Sequence, residues 1–268
     1  MAFDAATDRR LKAPDGVPRL ARVTSPVVDL RPQPAAGAGI DTQLLRGMPV
    51  ATFGQRDGWV QLRSEADGYV GWTEVSAVGS EVPEPTHRVI APRTFIYPGA
   101  DLRNAGAIAL SLGSLVTVTG EAETRGTRYA VLADGTSVIA AHLAPADHNA
   151  SDPVAVAESL IHTPYLWGGA SAFGIDCSGL VQLSHAMCGA SVLRDTDMQA
   201  ATVGKEITLE RLTRGDLVFW KGHVAMHRGD GTIIHARGGT MSVTIEPLDT
   251  AIARIAPLYG QPTICRRP

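Results

Sequence analysis

The sequence predicts an α+β region preceded by two small β-barrels. Short strand-like segments broken by glycine and proline fill the first half of the 268 residues. At Asp152-Pro153 the texture turns helical, and from Asp216 onward strand-like runs return. Helices followed by strands within one segment is the α+β pattern. The expected divisions are an N-terminal arm at 1–20, a first barrel at 21–82, a second at 83–148 and the α+β region at 149–268.

The first twenty residues are polar and punctuated by proline, which suits an extended arm. The run from Val23 contains Pro26, so any strand there is broken or at an edge. Pro49-Val50-Ala51-Thr52-Phe53 ends at Gly54. Gly58-Trp59-Val60-Gln61-Leu62 and Gly68-Tyr69-Val70-Gly71-Trp72 are strands opened by glycine. Ser80-Glu81-Val82-Pro83-Glu84-Pro85 is a linker. Beyond it, Thr94-Phe95-Ile96-Tyr97, Leu115-Val116-Thr117-Val118-Thr119 and Arg128-Tyr129-Ala130-Val131-Leu132 repeat the texture, the last leading into the Asp134-Gly135 turn. The order of elements matches the first barrel. Asp152 caps a helix over 154–161, with Pro153 at its first position. A second helix starts at Cys177 and stops at Gly189.

Hydrophobic residues make up 44% and charged residues 19%, and the net charge is −3. This balance favours neither nucleic acid nor an anionic membrane surface as a partner, and no protein partner is indicated. No run approaches the roughly 18 apolar residues of a membrane span. Residues 1–10 lack an apolar stretch and a small-residue cleavage site, so no secretory leader is expected and the cytoplasm is the expected compartment. The three cysteines, Cys177, Cys188 and Cys265, have no CxxC spacing and suit a reducing compartment. No cofactor and no metal site are expected.

The segment Gly174-Ile175-Asp176-Cys177-Ser178-Gly179-Leu180-Val181 carries the chemistry. A thiol at a helix start meets the positive end of the dipole and unpaired N–H groups, which favours the nucleophilic thiolate. Asp176 caps the helix, and Gly179 permits close backbone approach. Downstream lie His223-Val224-Ala225-Met226-His227, then Gly229-Asp230-Gly231, then Thr232-Ile233-Ile234-His235-Ala236. A three-residue hairpin loop would set Ala225 opposite His235, placing His223 and His235 on one face as diagonal neighbours. A two-residue loop would put them on opposite faces. One histidine then handles the Cys177 proton and the other orients it, an assignment that residues alone leave open.

These residues resemble the three signatures of the NlpC/P60 cysteine peptidases, namely Asp176 to Val181, Gly222-His223-Val224 and Ile234-His235-Ala236. Pro164-Tyr165-Leu166-Trp167-Gly168-Gly169 is similar to the family's segment upstream of the nucleophile. The resemblance implies a papain-like catalytic domain over about 152–262. It implies Cys177 as nucleophile, His223 as base, His235 as orienter and Tyr165 beside the oxyanion. The barrels resemble SH3-like bacterial modules. Their layout with the peptidase is similar to the γ-D-glutamyl-L-diamino acid endopeptidases. Those enzymes cut murein peptides, L-Ala-γ-D-Glu-diamino acid, that carry a free amine.

In that group the residues flanking the cysteine bind the substrate's ammonium, which implies Asp176 and Ser178 here. Leu193-Arg194-Asp195-Thr196 resembles the group's Arg-Asp loop. It offers Arg194 as a clamp for the D-Glu α-carboxylate, with Thr196 beside it. Tyr69 inherits closure of the amine pocket, and Trp167 joins the substrate-binding set. Relatives often carry Gly-Glu where this chain has Gly47-Met48, and a lost carboxylate would weaken ammonium binding. Two other functions fit the pattern less well. One is an amidase or endopeptidase acting on intact peptidoglycan; the other is a wall-binding module with a degenerate catalytic domain, against which the intact Cys/His/His set speaks. His227 could be imagined with His223 and His235 as a metal triad, but no nearby carboxylate completes a ligand set.

Overall fold

The computed structural model describes residues 3–268. The chain divides into two compact units. One is Arg9–His148; the other is Asn149–Pro268 together with the described part of Met1–Asp8.

The Arg9–His148 unit builds one strand plan twice. Its first half holds β1 (Arg19–Val23), β2 (Val27–Leu30), β3 (Thr42–Leu45), β4 (Pro49–Arg56), β5 (Trp59–Ser64), β6 (Val70–Glu74) and β7 (Val78–Gly79). Its second half holds β8 (His87–Val89), β9 (Arg93–Tyr97), β10 (Ile108–Ser111), β11 (Leu115–Val116), β12 (Val118–Thr124), β13 (Thr127–Leu132), β14 (Ser137–Ile139) and β15 (Leu143–Pro145). In the first half β1 lies between β4 and β7, while β4, β5 and β6 follow in order. In the second half β8 lies between β11 and β15, while β12, β13 and β14 follow in order. A short 3-10 turn precedes the last strand of each, at Val75–Ala77 and Ala140–His142.

The cores correspond as well. Val23, Leu30, Leu44 and Val50 are buried in the first half, and Val89, Ile96, Leu110 and Val116 in the second. Gly47 N–H donates to Val23 O at 2.8 Å, and Gly113 N–H to Val89 O at 2.9 Å. Both glycines have positive φ, at 81° and 86°, where a side chain would be strained. Alternating burial and tight turns thus recur at matched positions although the residues themselves have diverged. Met48 follows Gly47, its sulfur 3.4 Å from Leu45 N–H, and packs against the first core.

The second unit begins with α1 (Pro153–Glu158). Asp152 Oδ1 accepts from Val154 N–H at 2.9 Å, and Pro153 opens the helix. The helix is shorter than the expected 154–161, because turns carry the chain from Ser159 to Thr163. A small hairpin, β16 (Ala170–Ser171) and β17 (Gly174–Ile175), leads into α2 (Cys177–Met187). Beyond α2, Gly189 takes a positive φ of 79°. A third helix, α3 (Thr196–Thr202), follows.

The sheet is β18 (Lys205–Ile207), β19 (Leu217–Trp220), β20 (His223–His227), β21 (Thr232–Arg237), β22 (Ser242–Pro247) and β23 (Ile264–Arg267), in the order β18-β23-β19-β20-β21-β22. All its pairings are antiparallel. The expectation of strands from Asp216 onward is corrected over Leu248–Tyr259, which forms α4. Ala251 and Ile255 are buried, and with Leu248 and Ile252 they make a helical apolar stripe against Val218, Trp220 and Ile233. Cys265 lies buried on β23 in the same core, and Cys188 caps the end of α2 with partial exposure. No helix among the described residues is long and apolar enough to cross a membrane.

Candidate active site

Cys177 is the first residue of α2, so its own N–H has no intrahelical carbonyl to meet. Asp176 caps the helix by accepting from Gly179 N–H at 2.7 Å. Gly179 is required for steric reasons. A Cβ there would lie 2.3 Å from Gly169 O, so only glycine lets the helix start approach the preceding loop this closely.

The loop of the β20–β21 hairpin is Gly229-Asp230-Gly231. Arg228 N–H donates to Thr232 O, and Met226 and His227 lie opposite Ile234 and Ile233. Continuing one step sets Ala225 opposite His235, so the three-residue loop is the one adopted. His223 and His235 then share a face, and His223 Nε2 lies 2.8 Å from His235 Nδ1. Their ring centroids are 5.0 Å apart at 57°, and Trp220 lies 5.8 Å from His223. Val224, next to His223, and Ser178 lie close enough to Cys177 for their N–H groups to favour its thiolate. Helix α2 packs against β20 and β21, the two strands that carry the histidine pair. His227 serves the loop instead: Gly229 N–H donates to its Nδ1 at 3.2 Å.

Burial works against the thiolate that the helix dipole favours. Burial pushes Cys177 up to about 11, and the Asp176 carboxylate adds to this. The Val224 and Ser178 N–H groups and Arg194 oppose the rise but do not overcome it. Burial likewise holds His223 down at about 3, helped by the neighbouring His235, and lowers His235 despite Glu246 beside it. The site thus rests as a neutral thiol and neutral imidazoles. Tyr165 is also held protonated, first by burial and then by Cys177 nearby, so its hydroxyl remains a hydrogen-bond donor.

Neutral buried histidines have a consequence for stability. Between about pH 6.5 and about pH 3 the unfolded chain binds protons that folded His223 refuses. More protons on the unfolded state means stability falls as pH drops through this window. Urea midpoints measured at pH 7 and pH 4.5 should show the loss, and His223→Gln should flatten the dependence. An unaltered slope in that variant would mean His223 is charged in the folded protein.

Asp176, Ser178 and Arg194 do meet, but around one another. Arg194 is 1% exposed. Its Nη1 donates to Asp176 Oδ1 at 2.9 Å and to Ser178 Oγ at 2.7 Å; its Nη2 donates to Asp176 Oδ2 at 2.7 Å and to Gly169 O at 3.1 Å. The expectation of an Arg194 fork open to a substrate carboxylate is therefore corrected: the guanidinium forms an internal, bidentate ion pair. Asp176 also accepts from Gly168 N–H at 3.0 Å and Ser178 Oγ–H at 3.1 Å, which leaves its carboxylate filled by the protein rather than presented to an ammonium. Gln199, fully buried on α3, ties Ser178 O and Leu193 O together through its Nε2. Thr196 opens α3 and is half-buried, and Trp167 is 75% exposed. Tyr69 is buried in the Arg9–His148 unit, where its N–H donates to Asp67 Oδ1 at 3.1 Å.

One residue of the site lies outside the expected set. Glu246 on β22 places Oε1 2.9 Å from His235 Nε2. Burial works to raise this carboxyl, but His235 and Arg254 bring it down to about 2. The signal was present in the alternation. His235 lies opposite Thr244, so Glu246, two residues on, shares its face.

A thiol at a helix start, a contacting imidazole pair on the strands packed against that helix and a protonated tyrosine are the groups that a cysteine hydrolase needs. Residues 162–255 match the NlpC/P60 family, and residues 30–78 match the bacterial dipeptidyl-peptidase SH3 domain. The chain carries an NlpC/P60 cysteine peptidase domain behind a bacterial SH3 domain. Dipeptidyl-peptidase 6 of Lysinibacillus sphaericus is 29% identical over 89% of this chain and 94% of its own length. A γ-D-glutamyl-L-lysine dipeptidyl-peptidase of Bacillus subtilis is 28% identical over 80% of this chain and 77% of its own. The fold is shared with an NlpC/P60 family protein of Bacillus cereus. The TM-score is 0.77 at 22% identity, covering 92% of this chain and 99% of that one.

Proposed function

We propose that this peptidase hydrolyses the γ-D-glutamyl–diamino acid bond of murein peptides bearing a free N-terminal L-Ala. The observation that supports the chemistry is the packing of the Cys177 helix on the two strands that carry the His223–His235 pair. The names of the relatives, which match along most of the chain, support the choice of bond. His223 takes the thiol proton as Cys177 attacks the γ-glutamyl carbonyl. The Cys177 N–H and the Tyr165 hydroxyl receive the developing oxyanion. His223 then protonates the leaving amine, and water releases the acyl-enzyme.

The second half of the Arg9–His148 unit is read as another SH3 copy, on the duplicated strand plan and matched core. A role in recycling short wall fragments in the cytoplasm follows from a dipeptidyl specificity, which suits released peptides better than intact wall. The test is direct. Purified protein is incubated with L-Ala-γ-D-Glu-L-Lys, its diaminopimelate counterpart and N-acetylated forms of both, and products are read by mass spectrometry. Free-amine peptides should be cleaved after D-Glu and the acetylated ones spared. Equal cleavage of both forms would refute the free-amine rule, and digestion of intact sacculi would favour the reading as a wall hydrolase.

A further inference from the structure

We propose that Glu246 is a positioning residue that fixes the tautomers of His235 and His223, leaving His223 Nδ1 as the nitrogen that takes the Cys177 proton. The inference rests on the reading of Cys177 and His223 as nucleophile and base.

Three successive strands carry the line. His223 on β20 is diagonal to His235 on β21, and His235 is diagonal to Glu246 on β22. The contacts are 2.8 Å from His223 Nε2 to His235 Nδ1 and 2.9 Å from His235 Nε2 to Glu246 Oε1. His235 is fully buried, so water does not compete for its ring nitrogens. Arg254 donates to Glu246, and Arg237 Nε lies 3.7 Å from Oε1. Two cations thus keep this carboxylate ionised and acceptor-only.

An ionised carboxylate beside Nε2 requires the proton of neutral His235 to sit there. The Nε2–H does not lie straight along the 2.9 Å line, so the contact is charge–dipole in character rather than an ideal hydrogen bond. The tautomer preference survives this, because the opposite tautomer would face two lone pairs. His235 Nδ1 is then an acceptor, and the 2.8 Å contact requires His223 Nε2 to be the donor. The neutral ring of His223 has one proton, so its Nδ1 carries a lone pair. In the reaction the S–H bond of Cys177 breaks and an N–H bond forms at Nδ1. The resulting imidazolium keeps Nε2–H on His235, whose own N–H faces the negative charge of Glu246. The proton at Nδ1 leaves later with the amine.

The experiment begins with wild-type protein labelled with ¹⁵N-histidine, whose ring shifts at neutral pH report each tautomer. Both His223 and His235 should be Nε2–H forms. Glu246→Gln, whose amide can donate or accept, should give mixed tautomers and lower kcat by about 10- to 100-fold with KM changed less than about twofold. Glu246→Asp, which keeps the charge, should recover part of the loss. An Nδ1–H tautomer on His223 in the wild-type protein would overturn the proposal, and that measurement needs no variant to fold. Unaltered tautomers and kcat in Glu246→Gln would overturn it equally. Alkylation of Cys177 by chloroacetamide separates this inference from the choice of substrate. Slower alkylation in Glu246→Gln, with the expected wild-type tautomers but no cleavage of any murein peptide, would sustain the relay and reject the substrate.

Discussion

Cys177→Ala is expected to reduce hydrolysis of the murein peptides by about 10⁵-fold or more, because the attacking atom is removed and no other group can form the acyl-enzyme. The fold should survive. The side chain is small, and the truncation leaves a cavity of one sulfur atom, which costs about 1 kcal/mol. The cap on α2 belongs to Asp176, not to the thiol, so the helix start persists. Steady-state assay together with urea unfolding separates the two effects. Turnover within tenfold of wild type would refute a Cys177 mechanism. A neutral thiol in the resting site does not weaken the expectation, since forming thiolate and imidazolium together restores an attraction that neither group has alone.

Arg194→Met is expected to destabilise the protein by about 3–5 kcal/mol. The variant would leave the Asp176 carboxylate buried against Ser178 and two backbone N–H groups without its counter-charge. Adding Asp176→Asn should recover much of the loss, so the double variant should be more stable than Arg194→Met alone. Urea midpoints for the four proteins of that cycle provide the measurement. A stability loss below about 1 kcal/mol, accompanied by a large rise in KM, would instead return Arg194 to the role of substrate clamp. The pair is best understood as what places Cys177 at the start of α2. It locks Asp176, and through Gly169 and Gly168 it locks the loop on which α2 rests.

The local features of this site were legible because they depend on neighbours in sequence. Asp152-Pro153 and Asp176 are helix caps whose partners lie within three residues. The Gly229-Asp230-Gly231 loop allowed two registers for its hairpin, and the strand pairing decides between them, setting His223 and His235 on one face. The helix over Leu248–Tyr259 was also legible in the spacing of Leu248, Ala251, Ile252 and Ile255, although Pro257 and the surrounding strand pattern obscure it. The duplicated barrel plan was legible as an order of elements, whereas the matched cores and the paired glycines needed the strand pairings to be seen.

The sequence by itself offered the α+β frame and Cys177 as candidate nucleophile, with the family resemblance pointing to the two histidines. Caps, turns and period-two alternation, which act over a few residues, carry the helix starts and the strands, while the residue roles came with the resemblance. Only the tertiary structure decided three other matters. Arg194 meets Asp176 from 18 residues away and so becomes an internal ion pair. Glu246 reaches His235 only once a third strand has paired. Burial pushes the thiol toward its neutral form against the pull of the helix start. Charge states and long-range partners depend on how much water the packed chain excludes, and no local spacing encodes that.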